Sequence, residues 1–145
     1  MPNDAFDVKV VTPDGEVWSG QATSVVVPGV EGYFGVWKGH MPMIAGMDVG
    51  ALWIKTLSEH VITLLAVDGG FVEVNREGVT VLAESATVGG DIDVIAATKD
   101  EEQARALLAQ HFGDIEVERA KVALNKALNR KHVAEIAKSK PTQMV

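Results

Sequence analysis

Side chains able to do chemistry are scattered in this chain. The four histidines, His40, His60, His111 and His132, show neither a helical i, i+4 pair nor an HxH strand pair, the spacings that aim two imidazoles at one metal ion. His40 reads as a loop or interface residue, His60 as a turn residue, and His111 and His132 as helix surface. With zero cysteines there are no thiolate ligands, thiol nucleophiles or disulfides. No serine sits in G-x-S-x-G, so no nucleophile elbow is written. Gly89-Gly90-Asp91-Ile92 fits neither G-x-x-x-x-G-K-[ST] nor G-x-G-x-x-G, so no local phosphate cradle is encoded. The many acids read as solvated surface. Neither a catalytic residue nor a metal ligand set is assigned, and what remains is a protein that binds or couples.

The elements that carry these residues change character along the chain. Up to about Val88 the period is two: Phe6, Val8 and Val10 alternate with Asp7 and Lys9, and "GALWIK", "GFVEVN" and "GVTVLAES" continue the pattern. "HVITLLAV" is apolar on both faces from Leu64 and suits a strand covered on two sides. The runs end at Pro13-Asp14-Gly15, Pro28-Gly29, Asp68-Gly69-Gly70 and Asn75-Arg76-Glu77-Gly78, each read as a turn. Short strands without intervening helices imply an antiparallel sandwich or flattened barrel.

After Gly89-Gly90, glycine recurs only at Gly113, and Ala, Leu, Glu, Lys and Arg dominate. Gly90-Asp91 is the expected N-cap of a first helix whose face carries Ala104, Leu107, Leu108 and Phe112. Gly113 should end it and Asp114 cap a second helix running to about Lys138. In that helix Val117, Ala120, Leu124 and Leu128 form a stripe for the first helix. Val122, Val133, Ile136 and Ala137 lie on another side, to rest on the chain's own β layer or on another protein. The fold class is α+β: a β-sandwich domain over 1–90, an α-helical hairpin over 91–140, and a tail, 141–145, expected to be disordered.

Bulk numbers narrow the function. The net charge of -7 opposes nucleic acid. Residues 1–114 carry 17 acids against 6 bases and residues 115–145 carry 3 against 7, so the second helix is the basic element. It is either a solvated face or built for an acidic surface. No apolar run reaches the ~20 residues of a membrane span, so no direct membrane insertion is expected. "MPNDAFDVKV" has acids where a signal peptide needs cations, which implies a cytosolic protein.

The stretches "VVTPDGEVWSG" (Val10–Gly20), "VVVPGVEGYFGVWKGHMPMI" (Val25–Ile44), "VDGGFVEVNREGVTVLAESA" (Val67–Ala86), "GDIDV" (Gly90–Val94) and "VALNKALNRKHVAEI" (Val122–Ile136) together resemble the epsilon subunit of bacterial F-type ATP synthase. The E-G-x-x-G-V-x-x-G-H-x-P block is the most specific of them. The resemblance implies a flattened sandwich of about ten strands with a helical hairpin, non-catalytic, on the central stalk of a proton-translocating machine at the cytoplasmic face of the inner membrane. It implies the gamma subunit and the c-subunit ring as partners, with the alpha and beta catalytic subunits met when the hairpin extends.

On that resemblance Glu31, Tyr33 and Phe34 belong to one loop facing the rotor ring, and His40 and Pro42 to a second. Tyr33-Phe34 stands where the family more often has an acid first, which makes the contact more apolar. Phe34 and Trp37 equally suit the sandwich core. Arg119, Lys126 and Arg130 form the regulatory basic strip, with Lys121 and Lys131 adding charge. Some members bind ATP through Ile/Leu-Asp-x-x-Arg-Ala. Here the run is Ile92-Asp93-Val94-Ile95-Ala96-Ala97, with Ala96 in place of the arginine, so ATP binding should be weak or absent and no cofactor is expected. Two other readings stay open at this point: a nucleotide-sensing sandwich with a helical lid, and a generic coiled-coil-binding adaptor.

Overall fold

The computed structural model describes residues 4–57, 61–110 and 113–141. His60, His111, Phe112 and the last four residues of the tail lie outside them. Seven strands come first: β1 Phe6–Thr12, β2 Gly15–Gly29, β3 Gly32–Trp37, β4 Met43–Thr56, β5 Ile62–Val74, β6 Gly78–Ala83 and β7 Ala86–Val88. A 3-10 turn, Gly89–Asp91, leads to α1 Val94–Gln110 and α2 Asp114–Lys138.

The strands run in the order β1-β6-β5-β4-β2-β3, and β1 also pairs with β2, which closes a flattened ring; β7 attaches to β5. Among the described residues seven strands stand where about ten were expected, because β2, β4 and β5 are long and continuous, at 15, 14 and 13 residues. Asp68-Gly69-Gly70 is not a turn but lies inside β5, where Gly69 and Gly70 have φ of 105° and 128°. A Cβ on Gly70 would stand 2.1 Å from the Leu82 carbonyl oxygen, so only glycine lets the strand pass there. The expected turns Pro13-Asp14 and Asn75–Gly78 are present. Asn75 Oδ1 accepts from the N–H groups of Glu77 and Gly78 at 2.9 and 3.0 Å. Pro28-Gly29 ends β2, and the turn itself is Val30-Glu31. One pair departs from the antiparallel expectation: β1 runs parallel to β6, Asp7 opposite Gly78 through Val11 opposite Leu82. These strands are far apart in sequence, so no tight hairpin dictates their direction.

Two apolar clusters follow from the alternation. Val8, Val10, Val25, Val27, Leu52, Ile54, Leu65, Val67, Val72 and Val81 fill the ring. Ala51 and Trp53 of β4 and Ile62, Leu64 and Ala66 of β5 point the other way and are covered by Val133 of α2, with Ile92 and Ile136 at the margin. The both-faces-apolar reading of Leu64 onward is thereby explained: one face meets the ring interior and the other meets the hairpin. Of the second side of α2, Val133, Ile136 and Ala137 rest on the chain's own body, whereas Val122 is exposed. Burying the Trp53 side chain there contributes about 3 kcal/mol.

The helix ends differ in detail from the sequence reading. Gly90-Asp91 belongs to the 3-10 turn, and Asp93 caps α1, its Oδ1 accepting from the Ala96 N–H at 3.0 Å. Gly113, at φ 111°, is the N-cap of α2, with Asp114 and Glu116 in the first turn. The helices meet through alanines, Ala97 and Ala104 against Ala120 and Ala127, while Leu107 and Leu128 are exposed. Ala127 rather than Leu128 continues the stripe because 120, 124 and 127 follow the 3.6 period when a helix lies flat on its neighbour. At 25 residues α2 is about 37 Å long.

Candidate functional site

The first loop is a two-residue turn between Gly29 and Gly32, which pair directly. Glu31 stands exposed at its tip. The Val30 N–H donates to the Gly46 carbonyl at 3.0 Å, tying the tip to β4. Tyr33 is largely exposed, yet its hydroxyl accepts from the Ala51 N–H at 3.0 Å and its ring end lies over Gly50. The reason lies in the ladder. Between Val26 opposite Trp53 and Gly29 opposite Met47, β2 contributes two residues and β4 five, so β4 bulges away and Ala51 turns to a side chain. Phe34 packs against the ring core, whereas Trp37 is exposed and lies over Gly35.

The second loop, 38–42, runs straight into β4 at Met43, so both loops flank the first residues of that strand. The His40 ring nitrogen Nδ1 lies 2.8 Å from the Met41 carbonyl oxygen, and Met41 and Pro42 are exposed. Around these loops the sheet shows large apolar side chains that the sequence reading did not single out: Val30 (62% exposed), Ile44 (71%), Phe71 (60%) and Leu82 (50%). Register connects Val30, Phe71 and Leu82, while Ile44, opposite Glu73, stands two residues before Gly46 on β4. Val30 lies over Gly46, Gly46 is opposite Phe71, and Phe71 is opposite Leu82. The signal was available, since Phe71 and Leu82 alternate with the buried Val72 and Val81.

On the hairpin, the three strip residues fare differently. Arg119 is exposed and Lys126 half-buried. Arg130 is held by acids: its Nη1 lies 3.7 Å from Asp68 Oδ2 and its Nη2 3.2 Å from Asp100 Oδ2. Lys131 pairs with Glu101 at 2.7 Å and Lys121 with Glu118 at 3.3 Å. Burial pushes the Asp68 carboxyl above its ordinary range, against the pull of Arg130 and Lys126. Hydrogen bonds from Lys131 and Arg105 hold Glu101 below it. A 230 Å³ cleft between the helices is lined by Asp100, Gln103, Leu107, Lys126 and Arg130. It is smaller than the ~300 Å³ at which small-molecule pockets begin.

Ile92, Asp93, Ala96 and Ala97 are neighbours around the start of α1. Asp93 is spent on the cap, Ile92 packs at the hairpin–sheet margin, Ala97 is buried and Ala96 is exposed. Among the described residues no group of three or more His, Cys, Asp or Glu side chains is placed to hold a metal ion. No helix among them is long and apolar enough to cross a membrane.

What this geometry assembles is surface: a closed β ring, solvent-facing apolar side chains at its loop end, and a two-helix arm laid on its flank. That is the build of a subunit made to join other subunits. The sequence models for the ATP synthase delta/epsilon chain match in two parts, the β-sandwich domain over residues 5–89 and the long alpha-helix domain over 91–135. The chain belongs to the ATP synthase delta/epsilon family. It is 44% identical over 128 residues to the ATP synthase epsilon chain of Halalkalibacterium halodurans, covering 88% of this chain and 95% of that one. It is 41% identical over 131 residues to that of Nitratidesulfovibrio vulgaris, covering 89% and 95%. In fold it is similar to a chain of the Euglena gracilis mitochondrial ATP synthase OSCP/F1/c-ring structure, with a TM-score of 0.75 at 21% identity, covering 93% of this chain and 82% of that one.

Proposed function

We propose that this chain, an epsilon-type central-stalk subunit of an ATP synthase, is non-catalytic and couples the gamma subunit to the c-ring of a proton-translocating machine. It sits peripherally at the cytoplasmic face of the cell membrane. In this reading Glu31, Tyr33, Phe34, His40 and Pro42 belong to the loop end that faces the ring. Glu31 supplies an exposed charge, His40 and Pro42 shape the second loop, and Phe34 fixes the first loop to the core. The hairpin regulates: docked, it permits rotation, and extended, it presents Arg119, Lys126 and Arg130 to acidic segments of the alpha and beta subunits and restrains ATP hydrolysis.

The observation that carries the reading is the exposed set on the β body, Val30, Phe71 and Leu82 linked by register and Ile44 two residues before Gly46 on β4. Large apolar side chains grouped in this way on a folded surface mark a place where another protein sits. The test is ATP hydrolysis by the reconstituted complex with the full chain and with a chain ending at Gly90. Faster hydrolysis with the shortened chain is expected; equal rates overturn the regulatory role. A second arm is capture of purified gamma subunit, and failure of the full chain to retain it overturns the coupling role.

A further inference from the structure

Three consecutive residues of α2 reach three different elements. Asn129 Nδ2 donates to the Gly50 carbonyl of β4 at 2.9 Å. Arg130 meets Asp68 inside β5 and Asp100 on α1. Lys131 meets Glu101 on α1. Successive helical residues are about 100° apart, so 129–131 sweep about 200° of the helix circumference. They engage at once only while α2 lies in the corner between the sheet and α1. The contacts are also partly sheltered: the Arg130 and Asp68 side chains are 25% and 11% exposed, unlike the surface pairs Lys9–Glu16 and Lys121–Glu118. An ion pair withdrawn from water in this way is costly to break from one side, because its partner is left unpaired.

We infer that Asn129 and Arg130 form a built-in latch that holds the hairpin on the sandwich, with Arg130 shared between α1 and the sheet as its central member and Lys131 bracing α2 against α1. The inference rests on the regulatory reading of the hairpin and names the residues that set its balance. Arg130 has two uses that exclude each other. While it bridges Asp68 and Asp100 it is withheld from any external carboxylate, and an acidic partner must replace both acids to capture it. Apolar contact at Val133 supplies docking strength, and the latch supplies its register and its salt sensitivity.

The full chain lacks cysteine, so labels at Asp14→Cys on the β1–β2 turn and Ala109→Cys on α1 are specific for measuring the sandwich–hairpin distance by pulsed spin resonance. In the otherwise unaltered chain a single short distance is expected at low salt, with a longer component growing towards about 1 M salt as the ion pairs are screened. Arg130→Gln should raise the longer component about tenfold at low salt and abolish its salt response. Asn129→Ala should raise it while leaving the salt response in place. An unchanged distribution in Arg130→Gln, or a salt-insensitive distribution in the parent chain, overturns the latch. Hydrolysis by the assembled complex separates the two readings. Variants that release the hairpin without altering hydrolysis support the latch and remove the regulatory role. Variants that alter hydrolysis while the distances stay fixed do the reverse.

Discussion

Tyr33 and Asn129 hold opposite ends of one peptide group. The Tyr33 hydroxyl accepts the Ala51 N–H at 3.0 Å, and the Asn129 amide donates to the Gly50 carbonyl at 2.9 Å. The amide joining Gly50 to Ala51 thus connects the loop carrying Glu31 with the hairpin. Hydrogen bonds at the two ends of one amide polarise it in the same sense and strengthen each other. Tyr33→Phe leaves the ring in place over Gly50 and strands the Ala51 N–H. Chemical denaturation should show a loss of about 1–2 kcal/mol. Amide exchange should quicken most at Ala51, and equal exchange rates there would show that water replaces the hydroxyl at no cost.

Gly89 sets how closely α2 approaches. A Cβ at this position would lie 2.5 Å from Ala137 Cβ and 3.1 Å from the Leu64 carbonyl oxygen. Gly89→Ala should push the end of α2 off the sheet at a cost of about 1–3 kcal/mol, the usual range for overpacking. Trp53, which lies beneath the hairpin, reports the displacement by a red-shifted emission. Ala137→Gly in the same chain should restore the emission, whereas a shift that persists would place the fault in the strand.

Acid acts on the stability of the folded chain in two opposed directions. Glu101 is held below its ordinary 4.5 by hydrogen bonds from Lys131 and Arg105, so its contribution is present above that pH and is lost as pH falls through the lowered value. Asp68 is raised above 3.8 chiefly by burial, so its contribution is complete below 3.8 and is lost as pH rises through the raised value. Thermal melts across the acid range should show Glu101→Gln removing the loss at low pH. Asp68→Asn should remove the gain that accompanies protonation of the buried carboxyl. A Glu101→Gln profile that overlays the parent's would contradict the assignment.

Phe71 is exposed, and its substitution tests the surface without touching the core. Phe71→Glu should leave the folding free energy within about 0.5 kcal/mol. Its affinity for the purified c-subunit ring, which the loop end faces in the proposed reading, should fall at least about tenfold by calorimetry, as for a central aromatic contact. Unaltered affinity would move the interface elsewhere.

How far the sequence carried the fold depended on the range of the forces involved. Phe6, Val8 and Val10 announce their strand by alternation alone, and Leu64-Leu65-Ala66 announce a strand covered twice. Asp68-Gly69-Gly70 misleads because glycine serves a crossing strand as well as a turn, and the crowding by Leu82 that decides between them comes from another strand. The Gly113 cap was one residue off because glycine and aspartate both suit the boundary. At the site, Glu31 was placed in its loop by the family resemblance, beside a turn signal at Pro28-Gly29. The acids that occupy Arg130 were not, since Asp68 and Asp100 approach it only once the helices have folded back. The exposure of Ile44 likewise depends on which face of β4 the ring encloses.

The parallel seam between β1 and β6 dictates an order of assembly. Residues 7–11 cannot find their second neighbour until residues 78–82 exist, so during synthesis the chain's opening strand waits for most of the body to be made. The helices follow the strands in sequence, and they settle on a flank that is already closed. The arm is therefore an addition to a part that closes without it, and under the proposed regulation it would lift away without unmaking what it leaves behind.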